Sequence, residues 1–146
     1  MLKKLIVLIT MLCLSNVVFA MDSGEESKQV ENNAYQSYLS KTQSLINQKF
    51  PGFFSELGNS EQLSWIDYVG KQAAKYGYEN TNLRQGFTLI SCYLGKDFMA
   101  DDNVDKDIKR FLKDERFSKY VRVRDMQRYL KRKKYDLVSP SVQGIK

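Results

Sequence analysis

The residues able to do chemistry in this 146-residue chain are scattered carboxylates, one internal thiol and a concentrated block of cations; histidine is absent. Without histidine there is no Ser–His or Cys–His nucleophile pair and no His-bearing zinc site. Cys92 is the one thiol beyond the first twenty residues, which also excludes a thiolate metal cluster. A Ser–Lys pair would need a lysine one helical turn from Ser91, and Lys96 is at neither i+3 nor i+4. Glu56, Glu61, Asp67 and Glu79 are separate carboxylates near expected helix ends. Two of them can in principle serve as the acid and base of a cell-wall hydrolase, but nothing in their spacing selects a pair. Asp101-x-Asn103-x-Asp105 copies the opening of an EF-hand loop. Lys106, however, stands where that loop needs glycine, and Leu112 where it needs a bidentate glutamate. The expectation is a binding protein and not an enzyme, with no catalytic residues, no metal and no cofactor.

The cations carry more information. The formal charge of +6 is unevenly spread: Arg116 to Lys134 holds nine basic residues and a single acid, Asp125. Wound as a helix, Arg124, Arg128, Lys131 and Arg132 share the side opposite Val123, Met126 and Leu130. Such a face suits nucleic acid, anionic lipid or an acidic protein; the alternative is a solvated face whose long side chains cover the edge of the core. Export, argued below, weighs against nucleic acid, and the apolar stripe is too narrow for a membrane-surface helix. A protein partner with an acidic patch is the functional reading retained. Trp65 and Tyr68 lie to one side of the apolar face of an earlier helix. They either cover the edge of the core, as the large area of an aromatic favours, or add an aromatic anchor to the partner contact.

These residues must be positioned by helices, because apolar residues recur at helical spacing and no strand pattern is present. The centre is Leu83 to Leu94, where Leu83, Phe87, Ile90 and Leu94 form one stripe and Gly86, Leu89, Cys92 and Tyr93 extend it. Only Arg84, Gln85, Thr88 and Ser91 are left for water or polar contacts, so this helix should have neighbours on two or more sides. Gly95 ends it. A first helix carries Tyr35, Tyr38, Leu39, Thr42, Leu45 and Ile46 and stops before Pro51. Phe50-Pro51-Gly52-Phe53-Phe54 reads as an aromatic plug over the end of the core. The next helix, capped by Asn59 with Gln62, buries Leu63, Ile66, Val69, Gly70, Ala73 and Ala74 and stops at Gly77. Its small residues are expected to receive the central helix. Asn80 or Thr81 caps that helix. Val104 to Lys113 makes a short fourth helix with Val104, Ile108, Phe111 and Leu112 inward, and Ser118 to Lys134 the last. The fold class is therefore all-α, a small bundle of about five helices around one apolar helix.

The ends differ in kind. Lys3 and Lys4, the apolar run Leu5 to Leu14 and Val18-Phe19-Ala20 read as a secretory signal cleaved near Ala20. The run is shorter than the roughly 20 residues a bilayer span needs. The expected organisation is a signal peptide over 1–20, a flexible leader over 21–33, a helical domain over 34–135 and a loose tail over 136–146. The product would be periplasmic or secreted, without stable membrane insertion. Cys92 would then be the sole cysteine, either buried as a small hydrophobe or joined to another chain; burial is favoured by its apolar helix.

Phe50-Pro51, Ala74-x-Tyr76-Gly77, Tyr93-Leu94-Gly95, Asp97-Phe98 and Asp101-Asp102 together resemble a loose group of small helical proteins of bacterial type VI secretion and polymorphic-toxin loci. The resemblance spans roughly Tyr35 to Arg124 and rests on core and turn residues, not on a catalytic motif. It implies an effector-specific immunity protein, and for an exported member the neutralisation of a toxin acting in the periplasm. An envelope-binding protein drawn to anionic surface polymers, or a carboxylate-dependent cell-wall hydrolase, are the alternatives from other classes.

Overall fold

The computed structural model describes residues 23–140, and every regular element among them is a helix. In chain order these are α1 (Ser23–Lys49), α2 (Asn59–Lys75), α3 (Thr81–Leu94), α4 (Lys106–Lys113) and α5 (Lys119–Arg132). The chain divides into two compact units at Ser37/Tyr38, so α1 contributes to both. The expected signal peptide lies outside the described residues. Among those described, no helix is long and apolar enough to cross a membrane.

Across the leader expected over 21–33 the chain is helical from Ser23 onward. No apolar stripe announces this stretch. Yet between Gly24 and Pro51 no helix breaker occurs, and Glu, Gln and Lys, all good helix formers, recur through it. From Tyr38 the helix acquires its buried face, with Tyr38, Leu39, Thr42 and Ile46 inward.

α3 is the buried centre of the second unit, packed against both α2 and α5, while α4 packs on α5. It is more completely covered than its pattern predicts. Thr88 and Ser91, expected to face polar surroundings, are both fully buried. Their hydroxyls are satisfied within the helix: Thr88 donates to the Arg84 carbonyl at 2.8 Å and Ser91 to the Phe87 carbonyl at 3.1 Å. A buried hydroxyl without such a partner would cost about 1–3 kcal/mol. Cys92 follows suit, its thiol donating to the Thr88 carbonyl at 3.4 Å from a side chain with no exposed surface. Burial raises its pKa far above the ordinary thiol value.

Glycines set two of the helix contacts. Gly86 of α3 receives Val123 of α5: a Cβ at this position would fall inside contact distance of Val123 Cγ1. Gly70 was expected to receive α3, but it receives α1 instead. A Cβ there would lie 2.7 Å from the Tyr38 hydroxyl, so the ring of Tyr38 occupies the space glycine leaves. The aromatic corner does plug one end, with Phe53, Phe54 and Trp65 packed edge to face at centroid distances of 4.9–5.6 Å. Phe50 meets Tyr93 beside them at 5.2 Å.

The ends of the helices refine the expected caps. α2 is capped by Gly58, not Asn59, and the Glu61 carboxylate accepts the Gly58 N–H at 2.8 Å. Asn80 caps α3 by accepting the Asn82 N–H at 2.9 Å. Gly77 closes α2 in a Schellman motif, with Tyr78 N–H on the Ala73 carbonyl and Gly77 N–H on that of Ala74, both at 2.8 Å. α5 ends the same way around Lys134, whose φ of 56° is left-handed. In the described part of the tail expected to be loose over 136–146, one backbone hydrogen bond reaches α3. Val138 N–H donates to the Cys92 carbonyl at 2.9 Å, using an acceptor the end of α3 leaves open.

Because Val123 sits where a Gly86 side chain would go, Gly86→Ala should destabilise the fold by about 1–3 kcal/mol despite alanine's better helix propensity. Urea unfolding followed by circular dichroism checks this; a gain in stability would mean that α5 does not seat on Gly86.

Candidate partner-binding groove

A groove runs between α4 and α5, and a single carbonyl oxygen fixes its two walls. Leu112 lies in the last turn of α4, where helix carbonyls have no intrahelical donor. Its oxygen accepts from the Tyr78 hydroxyl at 2.5 Å and from Arg122 Nη1 at 2.6 Å. Tyr78 comes from the α2–α3 connection and Arg122 from the first turns of α5, so three parts of the chain meet at one acceptor. Arg122 is 7% exposed, and its guanidinium lies 6.0 Å from the centroid of the Tyr78 ring. Burial raises the Tyr78 pKa, opposed by the Arg122 charge. Lys119 adds a second tie for α5, donating to the Gly77 carbonyl at 2.5 Å.

The connection from α4 to α5 is held by one ion pair. Asp114 caps α4 and takes a forked contact from Arg116, with Nε at 2.9 Å and Nη2 at 2.6 Å. That fork lowers the Asp114 pKa to about 2. The same tight turn brings Phe117 over Phe111, stacked with centroids 6.4 Å apart. Phe111, Phe117, Met126 and Tyr129 line the groove, flanked by Arg110, Lys113, Arg116, Arg128, Lys131 and Arg132. Phe117 keeps 45% of its surface exposed. Three carboxylates interleave with the cations, each already engaged: Asp107 with Arg110 at 3.0 Å, Asp114 with Arg116, and Asp125 with Arg124 at 2.8 Å and Arg128 at 3.6 Å. Arg124 is the chief cause of the lowered Asp125 pKa. Lys113, Lys131 and Arg132 make no ion pair among the described residues.

Of the residues singled out from the sequence, Arg124, Arg128, Lys131 and Arg132 are all exposed on α5. The last three line the groove, and Arg124 reaches it through Asp125. Trp65 as a contact anchor is corrected: it is 1% exposed, enclosed by Phe53 and Phe54, and belongs to the core. Tyr68 is half-buried and lies outside the groove lining. Its hydroxyl donates to Asp97, which pushes its pKa up to about 12, and Lys96 sits 5.2 Å from its ring centroid. The carboxylates of the EF-hand-like stretch serve the backbone. Asp101 accepts the Asn103 N–H at 2.9 Å, and Asp105 caps α4 by accepting that of Asp107 at 2.8 Å. Among the described residues no three thiol or carboxylate groups gather as a metal site.

The contribution of α4 was not foreseen. Arg110, Lys113, Arg116, Phe111 and Phe117 belong to the groove as much as α5 does. Their signal was present as cations around Phe111 in α4 and Phe117 in the turn after it, but only the packing of α4 on α5 joins the two sets.

Tyr78 and Arg122 share one acceptor, so losing either leaves the Leu112 carbonyl a donor and losing both leaves it bare. Tyr78→Phe and Arg122→Met should each cost about 1 kcal/mol, and the double variant should exceed their sum by about 1–2 kcal/mol. Denaturant unfolding of all four proteins measures that coupling, and simple additivity would refute the shared acceptor. The Asp114 carboxyl should titrate near 2 and not near its ordinary 3.8. Its folded-state pKa is depressed, so the stabilisation it contributes is complete above about pH 4 and is lost as pH falls towards 2. Carboxyl-carbon NMR would show this, and Arg116→Gln should return the midpoint towards the ordinary value.

Compared with protein-family models, with curated proteins and with solved structures, the chain matches none.

Proposed function

We propose that this is a binding protein whose groove between α4 and α5 receives an acidic element of a protein partner, acting after export as an immunity-type inhibitor of a secreted antibacterial toxin. The observation that carries the reading is the pairing of cations that hold no salt bridge among the described residues with exposed aromatic surface; Arg132 acts on Asp125 only through its field. Lys113, Lys131 and Arg132 flank a lining from which Phe117 is 45% exposed. Fixed charge on a rigid wall steers an oppositely charged partner and sets orientation, while a half-exposed aromatic supplies the contact area on which affinity rests. The groove measures about 1630 Å³, beyond the range of roughly 300–1,000 Å³ usual for small ligands. Its scale favours a macromolecular segment.

The concave shape changes how inhibition would operate. A convex basic helix would plug an acidic cleft; a groove instead grips something that protrudes. The inhibitor would seize an acidic loop or helix of the toxin and block the active site by the bulk of the bundle around it. The toxin as partner comes from the resemblance read in the sequence, and the contact from Arg128, Lys131 and Arg132 facing the α4 wall, with Arg124 beside them through Asp125.

The test is co-purification with the secreted product of the adjacent reading frame, using the wild-type chain and a variant with Arg124, Arg128, Lys131 and Arg132 all changed to Glu. The variant should lose at least about a hundredfold in affinity, on-rate falling first, since rim charges act mainly on association. Unchanged capture would remove the groove from the contact. Binding instead to any anionic polymer, collapsing over a modest rise in salt, would favour the envelope-binding alternative.

A further inference from the structure

We infer that the occupant of the groove is an amphipathic, acidic α-helix of the partner, laid along α5 with its apolar stripe on the aromatic lining and its carboxylates at both edges. This rests on the groove reading proposed above and adds the form of the ligand to it.

The two walls are helices, and Ile108, Phe111, Phe117, Met126 and Tyr129 put apolar surface among the charged residues of the lining. Arg110, Phe111 and Lys113 belong to α4, Tyr129, Lys131 and Arg132 to α5, and Phe117 to the turn that joins them. A third helix is the element that fits such a trough, by packing its ridge into the groove two helices make. It also brings its own backbone hydrogen bonds. An extended peptide would need main-chain partners, usually a strand edge, and no strand exists among the described residues. α5 has fourteen residues, a wall of about 21 Å, which a partner helix of about four turns would match.

The carboxylates in the groove decide between a helix and a uniform polyanion. Asp107, Asp114 and Asp125 alternate with the cations, each already holding an arginine. A polymer charged at every repeat, such as a nucleic acid or a teichoic-type polyphosphate, would face repulsion at each of them. A helix can place Glu or Asp one turn apart, opposite Lys113, Lys131 and Arg132, and leave neutral residues opposite the three aspartates. Phe117 points to the same choice, because a charge-only ligand has no use for a half-exposed aromatic.

The inference is tested with the full chain and two fluorescent peptides of about 20 residues, equal in composition. In one, Leu and Phe form a single helical stripe between Glu residues; in the other the same residues are scattered round the helix. Fluorescence anisotropy should give the striped peptide at least about tenfold tighter binding. Phe117→Ser should erase most of that preference, and the Lys131→Glu, Arg132→Glu pair should weaken both peptides. Circular dichroism confirms that each variant is folded, as expected for changes at exposed positions. Equal binding of the two peptides, still lost in the charge reversal, would overturn the helical occupant while leaving an acidic partner in place. Binding of neither would overturn the groove itself. Self-association of the protein, abolished by the same reversal, would put a second copy of the chain in the groove and overturn a foreign partner.

Discussion

The Leu112 carbonyl is the point on which the geometry of the second unit turns. α4 has eight residues, too few for a helix to persist in water on its own terms. It is kept by what it buries, Ile108 and Leu112, and by two donors that arrive at its last turn from elsewhere in the chain. One of them, Arg122, carries its charge into a site with almost no solvent. A buried cation without a carboxylate at contact distance is expensive; here the carbonyl, the face of Tyr78 and the field of nearby Asp114 offset part of that cost, while Nε finds no hydrogen-bond partner among the described residues. The arrangement does more than bind helices together. It sets the separation of α4 and α5, and hence the width of the trough their cations flank.

The centre of the bundle shows a second economy of the same kind. α3 is enclosed on so many sides that the hydroxyls of Thr88 and Ser91 cannot reach water, and both bond back to the preceding turn. Contacts with neighbours then depend on side chains that fit where a glycine leaves room, Val123 at Gly86 and Tyr38 at Gly70. Polar ties of longer reach fix the register: Gln85 of α3 donates to Thr42 of α1 at 3.2 Å, and Gln127 of α5 donates to the Gly86 carbonyl at 2.9 Å. At Gly86 the close approach and the amide tie coincide, both joining α3 to α5.

Much of this was legible from residue types. The helical class, the central helix, its stop at Gly95, the aromatic corner and the exposed α5 cations all follow from period and composition. Three things were not. The early start of α1 escaped because a helix without an apolar face leaves no periodicity to detect. Arg122 escaped because an arginine inside a basic run reads as surface; its acceptor belongs to another helix and is a backbone atom, which no sequence pattern marks. The groove escaped in half, since Arg110, Lys113 and Phe117 acquire meaning only once α4 lies against α5. Trp65 shows the converse. Its size argued for burial, and the phenylalanines that enclose it were adjacent in the chain to each other but not to it.

The position of Cys92 has a practical corollary. Its sulfur is enclosed, its hydrogen is given to Thr88, and the carbonyl of the same residue is covered by the backbone of Val138. A thiol so placed reacts with nothing while the helices stay together, so an alkylating reagent can reach it only through the opened molecule. Labelling at this atom therefore times the spontaneous breathing of the bundle, and any tightly held ligand should slow that clock in proportion to how firmly it clasps the closed form.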